Sequence, residues 1–203
     1  MALKCPVKIS SVNNLSDARY VAGMGVDFMG FNLDPHSTDR IDPQTYMAIT
    51  GWVSGVSLVG EFDKFLKEYW PAVRDKYPID VIQVSQPYLS DLRDLPCPLV
   101  VRIPEGQSAN TAEVLKDFKD VTDYYLLEIA ELVNADFQKQ IASWCQEYPI
   151  FLDGLISPTD IDSWLQRGLK GIALKGGHEI KPGYKDFDDL ADMLEALEVD
   201  DLA

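Results

Sequence analysis

Polar side chains close one apolar run after another along this chain. Lys8 and Ser10 end the first run, Asn32 and Asp34 the second, Glu61 the third, and Gln83 and Ser85 the fourth. Arg102, Glu128, Asp153 and Lys175 close the next four. Any one of them is explained by a strand emerging into water. Eight in succession point to polar groups gathered at one end of a sheet, where they can bind a substrate and move protons. Glu128 follows the apolar stretch YYLL, a setting that raises a carboxyl pKa and keeps the group protonated enough to serve as an acid. A surface glutamate at a strand end is the equal alternative. Lys8 and Ser10 stand two residues apart and so share one strand face. A serine hydroxyl is a poor base at neutral pH and needs a neighbouring base even to act as a nucleophile. His178, in a late loop, is one candidate for that neighbour, although a solvated or phosphate-proximal loop histidine is the simpler reading. His36 is a loop histidine with no partner visible in the sequence.

Two late loops carry the other chemical signal. LDGLISPTDI runs from an apolar strand through glycine to an N-cap serine and a proline, which presents free N–H groups at a helix start. LKGGHEIKPGYKD adds a flexible Gly176-Gly177 turn beside Lys175. Ordinary turn chemistry also produces such loops. Two of them together favour an anion site, with Gly154, Leu155, Gly176 and Gly177 as the phosphate-binding residues.

The elements that must position these groups alternate from one end of the chain to the other. Apolar runs predict strands over 4–9, 28–33, 53–59, 80–84, 99–103, 124–128, 150–153 and 171–174. Between them, amphipathic stretches predict helices over 15–24, 43–50, 64–75, 90–95, 111–119, 135–146, 158–167 and 186–197. IDPQ and ISPTD sign two helix starts, with Asp42 or Ser157 as the cap and a proline in the first turn. Eight strand–helix units in 203 residues predict a single α/β domain over 1–203, a (β/α)8 TIM barrel. A doubly wound sheet is the competitor, but it places its glycine-rich phosphate loop after the first strand, and the first junction here has no glycine. In a barrel the loops after strands seven and eight commonly hold phosphate, and those are the two glycine-bearing loops.

Composition narrows the function classes. Hydrophobic residues make up 46% of the chain, enough for one ordinary core. Thirty-three acidic against 18 basic residues give a formal net charge of −15, which repels nucleic acid and anionic membranes but not a small phosphorylated ligand held by backbone N–H groups. No stretch approaches the roughly 20 apolar residues a membrane span needs, and the N-terminus lacks a signal peptide's apolar segment, so the chain is expected in the cytoplasm. The three cysteines, Cys5, Cys97 and Cys145, are widely spaced with no CxxC pair, and reduced, mostly buried thiols are expected rather than a disulfide or metal site.

Several stretches carry a family pattern. VKISSVNNLSDA is similar to a K-I-C-G opening followed by D-A, GVDFMGF to G-A-D-x-x-G-F, and LVGEF to V-G-V-F. VIQVSQ stands where Q-L-H-G is usual, and YYLLE where L-L-D is usual. PIFLDGLISPTDI matches P-x-x-L-A-G-G-L-x-P-x-N-V in length. GGHEIKPGYKD matches S-G-V-E-x-x-P-G-x-K-D most specifically, with Gly177, Glu179, Pro182, Gly183, Lys185 and Asp186 in place. Together they resemble the phosphoribosylanthranilate isomerases of tryptophan biosynthesis over nearly the whole chain. The resemblance implies a cofactor-free and metal-free Amadori rearrangement, in which a phosphorylated aminoaldose becomes an aminoketose. An acid opens the ribose ring and a base removes the C2 proton. The family's base, a cysteine, falls at Ser10, and its acid, an aspartate, at Glu128. Lys8, Arg40, Gln83, Arg102 and Asp153 are the expected substrate contacts. The family arginine that holds the anthranilate carboxylate falls at Asp39, with Arg40 one place along. The glycine-rich loop after L-L-D is replaced by IAELVNADF, and Ser11, Ser85, Gln86 and Leu155 also depart from the pattern. Two readings follow: an isomerase with altered catalytic positions, or a non-catalytic protein that recognises a phosphorylated metabolite. Either acts as a monomer or a homodimer.

Overall fold

In the computed structural model the described residues are 2–85, 92, 95–104, 110–129, 135–154, 156–175, 179–181, 184–185 and 188–199. Eight parallel strands close into a barrel in sequential order, β1 pairing with β8. They are β1 (Val7–Ser10), β2 (Phe28–Asn32), β3 (Ser57–Phe62), β4 (Val81–Val84), β5 (Leu99–Ile103), β6 (Tyr124–Glu128), β7 (Ile150–Asp153) and β8 (Gly171–Lys175). The described helices between and after them are α1 (Leu15–Gly23), α2 (Pro43–Thr50), α3 (Trp70–Lys76), α4 (Thr111–Asp117), α5 (Ala135–Glu147), α6 (Ile161–Gln166) and α7 (Asp188–Leu197). This is the (β/α)8 TIM barrel expected from the alternation.

Strand alternation sorts the side chains into two apolar sets. Val7, Ile9, Met29, Phe31, Ile82, Val84, Leu99, Val101, Tyr125, Leu127, Ile150 and Leu152 belong to the main core, together with the buried faces of the helices. Val59, Val81, Val100, Leu126 and Ala173 form a separate cluster with Phe28 and Tyr124, which packs the barrel interior. There Phe28, Tyr124 and Phe151 meet edge to face, with centroids 5.1 to 5.9 Å apart. Two residues further along several of these strands the same face turns polar: Glu61 after Val59, Gln83 after Val81, Arg102 after Val100, Glu128 after Leu126 and Lys175 after Ala173. The barrel interior is thus apolar at one end and ionic at its C-terminal mouth.

Some boundaries differ from the sequence reading. β1 begins at Val7 rather than at residue 4, because Pro6 has no N–H to donate and Lys4 instead bonds through its N–H to the Leu197 carbonyl at 2.8 Å. β3 starts at Ser57 and runs to Phe62, because Gly55 turns the chain at φ 78° and the strand takes up Glu61 in its interior. The helix expected over 64–75 divides into a 3₁₀ turn, Lys67–Tyr69, and α3, with Pro71 in the first turn of α3. Asp42 caps α2 as expected, accepting from the N–H groups of Gln44 and Thr45. Ser157 instead closes a turn, its carbonyl accepting from the Asp160 N–H, and α6 begins only at Ile161. LKGGHEIKPGYKD, read as loop, carries a short antiparallel pair, β9 (Glu179–Lys181) and β10 (Tyr184–Lys185). Most of the helix expected over 90–95 lies outside the described residues.

Candidate active site at the barrel mouth

The C-terminal ends of the strands enclose a cavity of about 290 Å³ whose lining includes Ser10, Gln83, Arg102, Glu128, Asp153 and Lys175. Lys8 lies just below, on the same face of β1 as Ser10. Its ammonium is buried to 3% exposure and donates to Glu61 Oε1 at 2.5 Å and to Ser10 Oγ at 2.8 Å. Glu61 is completed by Ser11, whose N–H and Oγ donate to Oε2 at 3.0 and 3.2 Å. Ser11 adopts φ 56°, a left-handed conformation uncommon outside glycine, and that conformation aims its N–H at the carboxylate. Gly30 on β2 makes room for the pair: a Cβ there would land on Glu61 Oε1 and 3.0 Å from Lys8 Nζ. An ammonium this deep in a barrel is tolerable only with such partners.

A second ionic group joins β5 to β8. Arg102 donates to Glu128 Oε2 at 2.9 Å and to Ser85 Oγ at 2.8 Å, and it lies 3.4 Å from Asp63. Lys175 donates to Glu128 Oε1 at 3.0 Å and stands 3.5 Å from Asp153 Oδ2. These contacts overturn the expected electrostatics of Glu128. Burial pushes its pKa up, as the apolar YYLL suggested, but hydrogen bonds and charge from Arg102 and Lys175 outweigh burial and hold the carboxyl below its ordinary value. Asp153 behaves oppositely: burial raises its pKa, Lys175 opposes the rise, and the neighbouring Glu128 adds to it. Burial likewise works against the charge of Arg102 and of Lys175, and the carboxylates around them more than offset it.

The remaining polar strand ends divide between scaffolding and cavity. Asp34 is used by the backbone: Oδ1 accepts from the His36 N–H at 2.8 Å and Oδ2 from the Asp63 N–H at 2.9 Å, which ties the loop after β2 to the loop after β3. Asn32 donates to Ser37 Oγ at 2.9 Å in the same loop. Gln83 is 5% exposed, and among the described residues nothing donates to its Oε1. At Gly154 the backbone has φ 112°, and a Cβ would collide with the Ile129 carbonyl.

Of the residues singled out in the sequence, the fold brings Ser10, Gln83, Arg102, Glu128 and Asp153 to one cavity and sets Lys8 beneath it. It does not bring Arg40 there. Asp39 lines the mouth, whereas Arg40 lies over the Tyr77 ring at 5.8 Å and lines a separate groove with His36, Tyr69 and Lys76. Asp39 ends a turn in the loop after β2, and the chain directs the next residue to the other cavity, so one place in the sequence exchanges a cation for an acid. Leu155, Gly176, Gly177 and His178 lie outside the described residues. The partnership of Lys8 with Glu61 was missed in the sequence, where the one usable signal was Gly30 in the middle of an otherwise bulky strand. Among the described residues no group of three or more His, Cys, Asp or Glu side chains is arranged to hold a metal ion. No helix among them is long and apolar enough to cross a membrane.

A closed parallel eight-stranded barrel, with interlinked polar groups at the C-terminal ends of its strands, defines a (β/α)8 barrel of the kind that carries active sites at that face. The chain belongs to the N-(5'-phosphoribosyl)anthranilate (PRA) isomerase family, whose model matches residues 7–196. The N-(5'-phosphoribosyl)anthranilate isomerase of Microcystis aeruginosa is 26% identical over 206 residues, spanning 95% of this chain and 97% of the relative. Among solved structures, the phosphoribosyl anthranilate isomerase of Thermus thermophilus superposes with a TM-score of 0.74 at 23% identity, over 95% of this chain and 98% of that one. A phosphoribosyl anthranilate isomerase in complex with reduced 1-(o-carboxyphenylamino)-1-deoxyribulose 5-phosphate has a TM-score of 0.76 at 20% identity, with the same coverage. At those identities the structural likeness establishes the shared barrel.

Proposed function

We propose that this chain is an aldose–ketose isomerase that acts on a phosphoribosyl-amine in the cytoplasm, by an Amadori rearrangement and without a cofactor. The observation that carries the reading is the pair of carboxyl groups, Glu128 and Asp153, held side by side over the barrel mouth within reach of Arg102 and Lys175. An Amadori rearrangement needs a proton given to the ring oxygen and another taken from C2, and two carboxyl groups with opposed pKa shifts suit that exchange. The substrate phosphate is assigned to Gly154, Leu155, Gly176 and Gly177, and Gln83 and Arg102 contact the sugar. Ser10 holds the place of the family's base without its chemistry, because its Oγ accepts from the Lys8 ammonium. Asp39 at the mouth disfavours a carboxylate on the substrate's amine side.

The same Ser10 contact favours the second reading, a protein that binds a phosphorylated metabolite without turning it over. An isomerase assay on purified protein, with N-(5'-phosphoribosyl)anthranilate and with a phosphoribosyl-arylamine lacking the carboxylate, backed by complementation of a strain lacking the enzyme, separates the two. Turnover that disappears in Glu128→Ala supports the isomerase. No turnover, with thermal stabilisation by sugar phosphates, supports the binding protein.

A further inference from the structure

β6 and β7 run in register with Glu128 beside Asp153, and both side chains open into the cavity. Lys175, one strand further on, reaches both carboxyl groups, at 3.0 Å to Glu128 Oε1 and 3.5 Å to Asp153 Oδ2. The two are served unequally. Glu128 receives a cationic donor on each oxygen, Arg102 on Oε2 and Lys175 on Oε1. Asp153 is 8% exposed, and among the described residues its Oδ2 accepts no hydrogen bond, meeting Lys175 across the longer 3.5 Å ion-pair contact. When two carboxyl groups share one neighbourhood, the one with fewer donors takes the proton.

We propose that Asp153 is the proton donor and Glu128 the proton acceptor of the isomerisation, a relay on β6 and β7 bridged by Lys175 that takes over from the serine end of β1. This assignment rests on the isomerase reading above. In the first step the substrate nitrogen's lone pair forms the C1=N bond as the ring C1–O bond breaks. The Asp153 proton passes to the departing oxygen, which becomes a hydroxyl and leaves a carboxylate. Glu128 then removes the C2 proton, the C2–H electron pair becomes the C1=C2 bond, and the C1=N pair returns to nitrogen. In the last step C1 takes the proton back from Glu128, and the enol O–H gives its proton to Asp153. The product is an aminoketose, and both carboxyl groups are restored.

The charges facing Asp153 agree with this order of events. Burial lifts its pKa first of all, Glu128 adds to the lift, and Lys175 and Lys8, from β8 and β1, oppose it. Arg102, from β5, faces Glu128 rather than Asp153. Replacing Glu128 by an uncharged residue therefore lowers the Asp153 pKa, and replacing Lys175 raises it.

The test combines turnover with a titration that does not depend on turnover. Asp153→Asn and Glu128→Gln are each expected to lower kcat by about 10²- to 10⁴-fold with KM little changed, the range for removal of a positioned acid or base. Carboxyl carbon NMR of the wild type should show Asp153 titrating above an ordinary aspartate, and Glu128→Gln should move that titration down. Lys175→Met, at a half-exposed position with little bearing on folding, should shift the descending limb of the pH–rate profile upward. A loss under tenfold in folded Asp153→Asn, an Asp153 titration unmoved by Glu128→Gln, or a pH profile unmoved by Lys175→Met overturns the relay while the isomerase reading stands. Wild-type protein without turnover overturns both.

Discussion

Glu61→Ala tests how the mouth is held together. In the native barrel the Lys8 ammonium is 3% exposed and has two described partners, Glu61 at 2.5 Å and Ser10 at 2.8 Å. Truncating Glu61 leaves that charge with a single described hydrogen-bond partner, the Ser10 hydroxyl, over the apolar side chains of Phe28, Val59 and Leu126. It also removes the acceptor for the N–H of Ser11, a residue held in a left-handed conformation. Breaking a buried ion pair from one side costs about 3–5 kcal/mol, and the loss of the Ser11 hydrogen bonds places the expected value at the upper end of that range. Urea unfolding of the wild type, Glu61→Ala, Lys8→Met and the double variant gives the coupling directly. The double variant is expected to recover part of the loss, because Lys8→Met no longer strands an ammonium and only the void left at position 61 still costs stability. A cost below about 1 kcal/mol for Glu61→Ala, the value of a solvated surface pair, would refute the reasoning.

Gly30→Ala should act on the same pair from β2. Its methyl collides with Glu61, and overpacking plus the displaced ion pair predict a loss of about 3 kcal/mol by urea unfolding. Asn14 caps α1 by accepting from the Asp17 N–H at 2.9 Å, so Asn14→Ala should cost about 1 kcal/mol in a thermal or urea melt. Glu128 has a folded pKa held below its ordinary value of 4.5, so its contribution to stability is present above that pH and is lost as pH falls through the folded pKa. The stability gap between wild type and Glu128→Gln should accordingly be constant near neutrality and shrink below about pH 4.5, as followed by urea midpoints across pH. Asp153 works in the reverse sense: its raised pKa favours the folded state at low pH, and the benefit is lost as pH rises through the folded value. Asp153→Asn should therefore be at least as stable as the wild type at neutral pH.

Much of the scaffold could be read directly from the chain. β5, β6 and β7 occupy the predicted residues, and α2 starts at its Asp42-Pro43 signature. These elements are bounded by local chemistry: a run of β-branched and aromatic residues, a cap, a proline. Where a local rule had a competitor, the boundary moved, at Pro6 before β1 and at Gly55 before β3. The short β9–β10 pair was hidden because three- and two-residue strands leave no periodicity to count.

The chain alone carries the alternation of units and the polar residue at each strand end, because period-two patterning is a property of neighbouring residues. It did not determine which of those residues would meet. Lys8 and Glu61 are 53 residues apart, and they pair because β2 lies between their strands with a glycine at the crossing point. Asp39 and Arg40 are adjacent in the chain, yet they line different cavities. The ionisation of Glu128 shows the same division. Its apolar flank argues for a raised pKa, and closure of the barrel reverses that by bringing Arg102 and Lys175 to its two oxygens. Charge–charge distances depend on strand register and closure, and those are properties of the tertiary structure.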